Sequence, residues 1–296
     1  MKVVLSGASG FLGSRLIPHL RAAGHETVQL VRREPADASQ RRWNPAAGTI
    51  DQTVLDGVNA VITLTGANVG AHRWTAAYKR LLIESRVDAT TTLARAIAAS
   101  EAPKPVFVSA SGVDYYGDTG DSPVDERSPA GDGFLADLCR LWEAATGPAE
   151  DAGGRVVHLR TGFPLAKDGG LLKPFYYQFK LFAGGRMGSG RQYMPWIALA
   201  DWLAAVTYLL EHPDIAGPVN LVGPDPVRNA EFSAALGRVL HRPRLVPVPG
   251  FALRIAVGEL ADATLESKRV FPRVLAEHGF PFAYRTVDEA LSAAVG

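Results

Sequence analysis

Cysteine is nearly absent: Cys139 stands alone in 296 residues, which excludes an internal disulfide and fits a reducing compartment. No stretch approaches the roughly 20 uninterrupted apolar residues of a membrane-spanning helix. Charge of one sign is also lacking. The formal net charge is +1, so nothing in the balance points to nucleic acid or an anionic membrane as partner. The seven histidines are scattered without His-x-x-x-His spacing, which gives no metal-ligating pattern. There is no fixed-period repeat and no low-complexity linker. The opening Met1–Gly7 reads as a short strand entering a glycine turn, without the apolar core and small-residue cleavage site of a secretion signal. With 47% hydrophobic and 21% charged residues, the expectation is an ordinary globular chain in the cytoplasm, acting on a small molecule.

What is present is a rhythm. Lys2–Ser6 is an apolar run of strand length, and Gly7–Gly13 follows it. Phe11, Leu12, Leu16, Ile17 and Leu20 then recur at helical spacing until Gly24 stops the helix. Thr27–Val31 reads as the next strand, completing the strand–helix–strand unit of parallel sheets. The alternation continues with a strand at Ala60–Leu64, a helix over Thr75–Ala98, and a strand at Pro105–Ser109. A helix over Phe134–Glu150 and a strand at Arg155–Arg160 complete the series. Five strands separated by helices predict an α/β fold, a doubly wound parallel sheet covered on both faces. Past Arg160 the rhythm changes. Residues 163–195 are rich in glycine and aromatics, and helices are expected over Asp201–Glu211, Asn229–Leu240, Ala252–Glu266 and Thr286–Ala294, with a short strand at Val219–Val222.

Gly7-Ala8-Ser9-Gly10-Phe11-Leu12-Gly13 has the spacing G-x-x-G-x-x-G between a strand and an amphipathic helix. Such a turn brings backbone N–H groups and a helix N-terminus to a pyrophosphate, and its last glycine lets helix and strand pack closely. The cofactor contacts expected here are Gly7, Ser9, Gly10, Phe11, Leu12 and Gly13. The next strand ends in Arg32-Arg33, where an NAD site has a carboxylate for the ribose hydroxyl. Guanidinium forks match a 2′-phosphate, so NADP(H) is expected rather than NAD(H).

Several stretches together resemble the extended short-chain dehydrogenases, and within them the atypical epimerase-family group with a distinctive C-terminal domain. They include Leu64-Thr65-Gly66-Ala67, Arg73-Trp74-Thr75 with Lys79, Glu84-Ser85-Arg86-Val87 with Thr90, and Tyr115-Tyr116-Gly117. Leu141-Trp142-Glu143, Arg160-Thr161-Gly162, Gly184-Gly185, Gly188–Gln192, Trp196-Ile197 and Gly217-Pro218-Val219-Asn220 continue the likeness along the whole chain. The resemblance implies a Rossmann domain over 1–222, with 163–195 contributing to the substrate side. It also implies a smaller, partly interleaved C-terminal substrate part over 223–296. It adds Leu64, Thr65, Gly66, Ser109 and Gly162 to the expected cofactor contacts, and it leaves substrate and oligomeric state, a homodimer included, open.

Members of that superfamily use a serine after the fourth strand together with Tyr-x-x-x-Lys, the tyrosine handling the proton and the lysine lowering its pKa. Ser111 matches the serine, with one extra loop residue. The Tyr-x-x-x-Lys is missing: alignment on Trp142-Glu143 places Leu135 and Cys139 at those positions, and shifting the register by one does not restore it. Tyr116 is then the candidate phenol, and Asp114 a possible acid. Cys139 reads as a small hydrophobe of a helix. Arg73, Trp74 and Lys79 fit either a clamp over ligand or ordinary packing, and Gly184–Gln192 fits either a covering loop or a connection. The function expected is an NADP(H)-dependent oxidoreductase of a small carbonyl or alcohol compound, with Ser111 and Tyr116 as the catalytic pair. A non-catalytic NADP(H)-binding or redox-sensing protein, and a sugar-nucleotide epimerase or dehydratase, are the alternatives.

Overall fold

The computed structural model describes all 296 residues. β1 (Lys2–Ser6) runs into α1 (Gly13–Ala22) and β2 (Glu26–Val31). β3 (Gln40–Asn44) and β4 (Thr49–Ile50) follow. β5 (Ala60–Thr63), α2 (Ala76–Ala99) and β6 (Val106–Gly112) restore the expected alternation, with the Thr75 side chain capping α2 through the Tyr78 N–H. The two-residue β7 (Pro123–Val124) precedes α3 (Phe134–Ala144), α4 (Gly147–Asp151) and β8 (Val156–Thr161). The single helix expected over 134–150 is therefore two. Pro148 has no N–H for the carbonyl of Ala144, and the Thr146 hydroxyl turns back to the Glu143 carbonyl instead (2.7 Å).

The rest of the chain begins with β9 (Phe163–Leu165), α5 (Leu172–Lys180), β10 (Tyr193–Met194) and β11 (Trp196–Ala198). α6 (Leu199–Glu211), β12 (Gly217–Leu221), β13 (Val227–Arg228) and α7 (Asn229–Leu240) come next. It closes with α8 (Gly250–Val257), α9 (Leu260–Leu265), β14 (Arg269–Val270), α10 (Arg273–Glu277) and α11 (Val287–Val295). Gly258, at φ +67°, splits the helix expected over 252–266.

Eight strands form one sheet in the order β12-β8-β6-β5-β1-β2-β3-β4, parallel throughout except for the antiparallel β3–β4 edge. The doubly wound fold is as the strand rhythm predicts. α1, α6 and α10 bury one face through Leu16, Leu20, Trp202, Leu209 and Leu275, and α2 and α4 bury the other through Leu93, Ile97 and Ala149. A third core stands apart from the sheet, where Phe175, Phe179, Trp196, Phe232, Leu236 and Leu291 join α5, α7 and α11. The chain winds outward from β1 through β2 and β3, then returns to the other side of β1 with β5. The loops after β1 and β5 leave in opposite directions, and that reversal opens a crevice at their carboxyl ends.

Candidate active site

A cleft of about 440 Å3 opens at this reversal. Its floor is Gly7–Gly10, one wall is Gln29–Arg33 with Trp43 of β3, and the other is Leu64–Gly66. Gly7 has φ +79°, and a Cβ there would stand 2.6 Å from the Leu64 carbonyl carbon, so only glycine fits. A Cβ on Gly13 would run into the Gly7 carbonyl oxygen, so this glycine seats α1 on the turn. The first turn of α1 carries no acidic residue, which leaves its positive end free for an anion. Ser6 bridges Thr63 and Thr65 (2.9 Å each) and fixes the ends of β1 and β5 at the cleft.

Arg32 and Arg33 line this cleft, and no lining residue carries a carboxylate. Arg33 donates to the Glu34 carbonyl (3.0 Å), while the Glu34 carboxylate is engaged by Arg42. Of the expected cofactor contacts, Gly7, Ser9, Gly10, Arg32, Arg33, Leu64, Thr65 and Gly66 meet here. Phe11, Leu12, Gly13, Ser109 and Gly162 do not line it. Phe11 lies against Gly169 and under Arg15 (4.4 Å), clamping the 166–170 turn with the Arg15–Asp168 ion pair (2.6 Å). Leu12 packs on the sheet core, and Ser109 is wholly buried inside β6. Gly162 is needed because a Cβ there would collide with the Pro195 carbonyl. Sequence reasoning missed Trp43, since Gln40–Asn44 has no apolar run to announce a strand. It also missed Gln29–Val31, whose only signal was adjacency to the arginines.

A second, polar cluster occupies the carboxyl ends of β6, β8 and β12. β6 extends to Gly112, which puts Ser111 on the strand rather than in the following loop. The Ser111 hydroxyl donates to Glu143 Oε1 (2.7 Å), and Arg160 donates to both Glu143 oxygens (2.8 Å each), the bidentate geometry that guanidinium favours. Arg160 also donates to the Tyr116 hydroxyl (3.0 Å), which in turn donates to Asn220 Oδ1 (2.8 Å). The Tyr115 ring covers the guanidinium at 3.5 Å. Burial alone would raise the Glu143 carboxyl, but the Arg160 hydrogen bonds outweigh it and hold it below the usual carboxylate range. Burial pushes the Tyr116 phenol up to about 12, against the pull of Arg160. Ser111 is 5% exposed and Tyr116 3%, and neither lines the cleft.

Where the superfamily's lysine would stand, Cys139 is buried, and burial pushes its thiol up to about 12. A lysine does come close, from the other end of the chain. Lys268 is 2% exposed and reaches Glu266 (2.7 Å) and Asp114 (3.3 Å), the carboxylate just past β6. Burial opposes its charge, but those two carboxylates outweigh burial and raise its pKa. Trp74 packs on Phe134 (5.1 Å), Lys79 pairs with Glu259 (2.6 Å) and Arg73 donates to the Ile255 carbonyl, so this segment ties α8–α9 to the sheet side. The Gly184–Gln192 stretch is a packed connection: a Cβ on Gly185 would strike the Val246 carbonyl, and Gly188 N–H donates to the Val248 carbonyl (2.8 Å).

The strand order, the switch-point cleft and its glycine turn define a protein of the Rossmann dinucleotide-binding class. Residues 3–133 match the NAD dependent epimerase/dehydratase family, and residues 248–294 match a domain of unknown function. The chain is 45% identical to an epimerase family protein of Mycobacterium leprae, over 98% of this chain and 94% of the relative. It is 33% identical to the human epimerase family protein SDR39U1 over 98% of both chains. The crystal structure of that human protein (isoform 2), determined with NADPH, superposes with TM-score 0.91 at 31% identity over 100% of both chains. A nucleoside-diphosphate sugar epimerase from Corynebacterium glutamicum gives TM-score 0.80 at 34% identity, covering 100% of this chain and 58% of that one. The chain belongs to the NAD-dependent epimerase/dehydratase family, in the group that these epimerase family proteins represent.

Proposed function

We propose that this protein is an NADP(H)-dependent oxidoreductase of the extended short-chain dehydrogenase type, acting on a small carbonyl or alcohol compound. The observation that carries the reading is the pair Arg32 and Arg33 in a carboxylate-free cleft beside the Gly7–Gly10 turn. The NADPH in the structure of the human relative supports the same choice of cofactor. Gly7, Ser9 and Gly10 would offer backbone N–H groups to the pyrophosphate, Arg32 and Arg33 would hold the 2′-phosphate, and Leu64–Gly66 would face the nucleotide from β5. The nicotinamide, when bound, supplies the hydride chemistry. On the protein's side, the Ser111 hydroxyl commits its proton to Glu143, so toward a substrate hydroxyl it would act as a hydrogen-bond acceptor. Tyr116 has both roles of its hydroxyl taken, by Arg160 and Asn220, and acts as a positioning residue. Residues 1–222 form the nucleotide side, and 223–296 together with 163–195 the substrate side.

A non-catalytic NADP(H)-binding protein is the competing reading, favoured by the burial of both Ser111 and Tyr116. One experiment separates them: titration with NADPH and NADH, then absorbance at the nicotinamide band against a panel of aldehydes, ketones and quinones. Tighter binding of NADPH with oxidation by some compound is expected. Tight binding without oxidation across the panel would transfer the assignment to the sensing role, and equal affinity for NADH would remove the 2′-phosphate argument.

A further inference from the structure

Behind the β5 wall of the cleft sits a cation without an anion. Arg86, on α2, is 8% exposed. Its two terminal nitrogens donate to the carbonyls of Leu82 (2.9 Å) and Ala67 (3.0 Å), while Nε is buried with no partner. Asp114, whose charge it feels, is paired with Lys268 instead. On one side the guanidinium faces the Trp142 ring (4.9 Å to the centroid), whose indole N–H is pinned by Thr90 (3.0 Å). On the other it presses on Gly66: a Cβ there would lie 2.9 Å from the guanidinium carbon. Gly66 lines the cleft, and Ser85 fixes the next peptide by accepting the Ala67 N–H (3.0 Å). One residue of backbone separates this charge from the open cleft.

A buried ion whose partners are neutral carbonyls is costly, and replacing such a group by an apolar one of similar size is often neutral or stabilising. Burial accordingly lowers the Arg86 pKa. The arrangement becomes favourable once negative charge enters the cleft, because low dielectric strengthens attraction across the Gly66–Ala67 wall. The same corner also lacks the superfamily's lysine. Cys139 takes its place on α3, one turn before the Trp142 ring that the Arg86 guanidinium faces.

We propose that Arg86 is a buried counter-charge for the anionic nucleotide, set behind the Gly66–Ala67 wall and replacing from α2 the cation that α3 no longer supplies. The inference rests on the cofactor reading above. It predicts opposite signs for two measurements on one variant. Arg86→Met keeps an unbranched apolar stem on α2 but loses the charge, the guanidinium contact with Trp142 and the hydrogen bonds to the Leu82 and Ala67 carbonyls. Without ligand, its melting temperature should equal or exceed that of the wild type, while its NADPH affinity, followed by nucleotide fluorescence, should fall about 5–20-fold. Arg86→Lys should recover most of that loss and lie within about threefold of the wild type. A plain structural brace gives the reverse pattern, a lower melting temperature with unchanged NADPH affinity, and overturns the proposal. If Arg86→Met folds poorly, Arg86→Lys decides alone: folded protein with NADPH affinity down tenfold or more would also overturn it. The wild-type titration keeps the two ideas apart. A wild type that fails to bind NADPH removes the cofactor reading and the counter-charge with it, whereas a binding wild type with an equally binding Arg86→Met removes only the counter-charge.

Discussion

The ends of β1 and β2 and those of β6, β8 and β12 lie on one edge of one sheet, yet they treat charge in opposite ways. At β1 and β2 the backbone is turned out by glycine, and Arg32 and Arg33 face an open cleft that holds no carboxylate. At β6, β8 and β12, Arg160 is 4% exposed at its side chain, and its guanidinium is shared between Glu143 and Tyr116. The first end keeps its positive charge available, while the second neutralises it internally. A site that must bind an anion carries unpaired cations at its surface, and a framework that must hold its shape satisfies every buried charge.

The largest effect that tests this contrast comes from Glu143→Ala. It would strand the Arg160 guanidinium in the interior, and breaking a buried pair from one side costs about 3–5 kcal/mol. Urea unfolding should show this loss, while NADPH affinity of the folded variant stays within a few-fold of the wild type. A loss under about 1 kcal/mol would mean that water reaches Arg160 and that the two ends differ less than their burial suggests.

The double substitution Arg32→Ala with Arg33→Ala makes the converse test. NADPH affinity should fall by about 10–100-fold with NADH affinity spared, as for a lost charge-assisted phosphate contact. Stability should move by no more than about 0.5 kcal/mol, since exposed side chains away from buried networks contribute little. Equal weakening of both nucleotides would place the arginines away from the 2′-phosphate.

How much of this was legible depends on how each residue signals itself. The sheet was readable because its inner strands are buried almost throughout and so carry short apolar stretches, Val3–Leu5, Ala60–Ile62 and Val156-Val157 among them. The cleft floor was readable because its glycines recur within seven residues, where Gly7 takes φ +79° and a Cβ on Gly13 would strike the Gly7 carbonyl oxygen. β3 was not: its two buried residues, Gln40 and Trp43, are separated by two exposed arginines, a spacing with neither an apolar run nor the alternation of a half-buried strand. The polar cluster was only half readable. Ser111, Tyr116, Glu143, Arg160 and Asn220 all fall in recognisable stretches, but the hydrogen bonds that join them span 17 to 104 residues. Nothing local says whether a tyrosine hydroxyl meets substrate or an asparagine. Lys268 was invisible for the same reason, since fourteen strands and helices separate it from its partner Asp114.

The smallest effect, from Tyr116→Phe, is also the one that most sharply separates framework from chemistry. The substitution leaves Asn220 Oδ1 and one Arg160 nitrogen without their mutual partner, at a cost of about 1–2 kcal/mol near neutral pH. The phenol's pKa is raised, by burial first, from 10.0 to about 12. In the unfolded chain it ionises at the lower value. Its contribution to stability is therefore complete below about pH 10 and is lost as the pH rises through about 12. The difference in unfolding free energy between wild type and Tyr116→Phe should accordingly be steady up to about pH 10 and shrink above it. A tyrosine that handles a proton in turnover would behave otherwise. It would titrate near the working pH, and its removal would abolish NADPH oxidation while sparing stability. Parallel pH series of unfolding and of NADPH oxidation for the two proteins discriminate between these outcomes, because burial acts on the first curve and chemistry on the second.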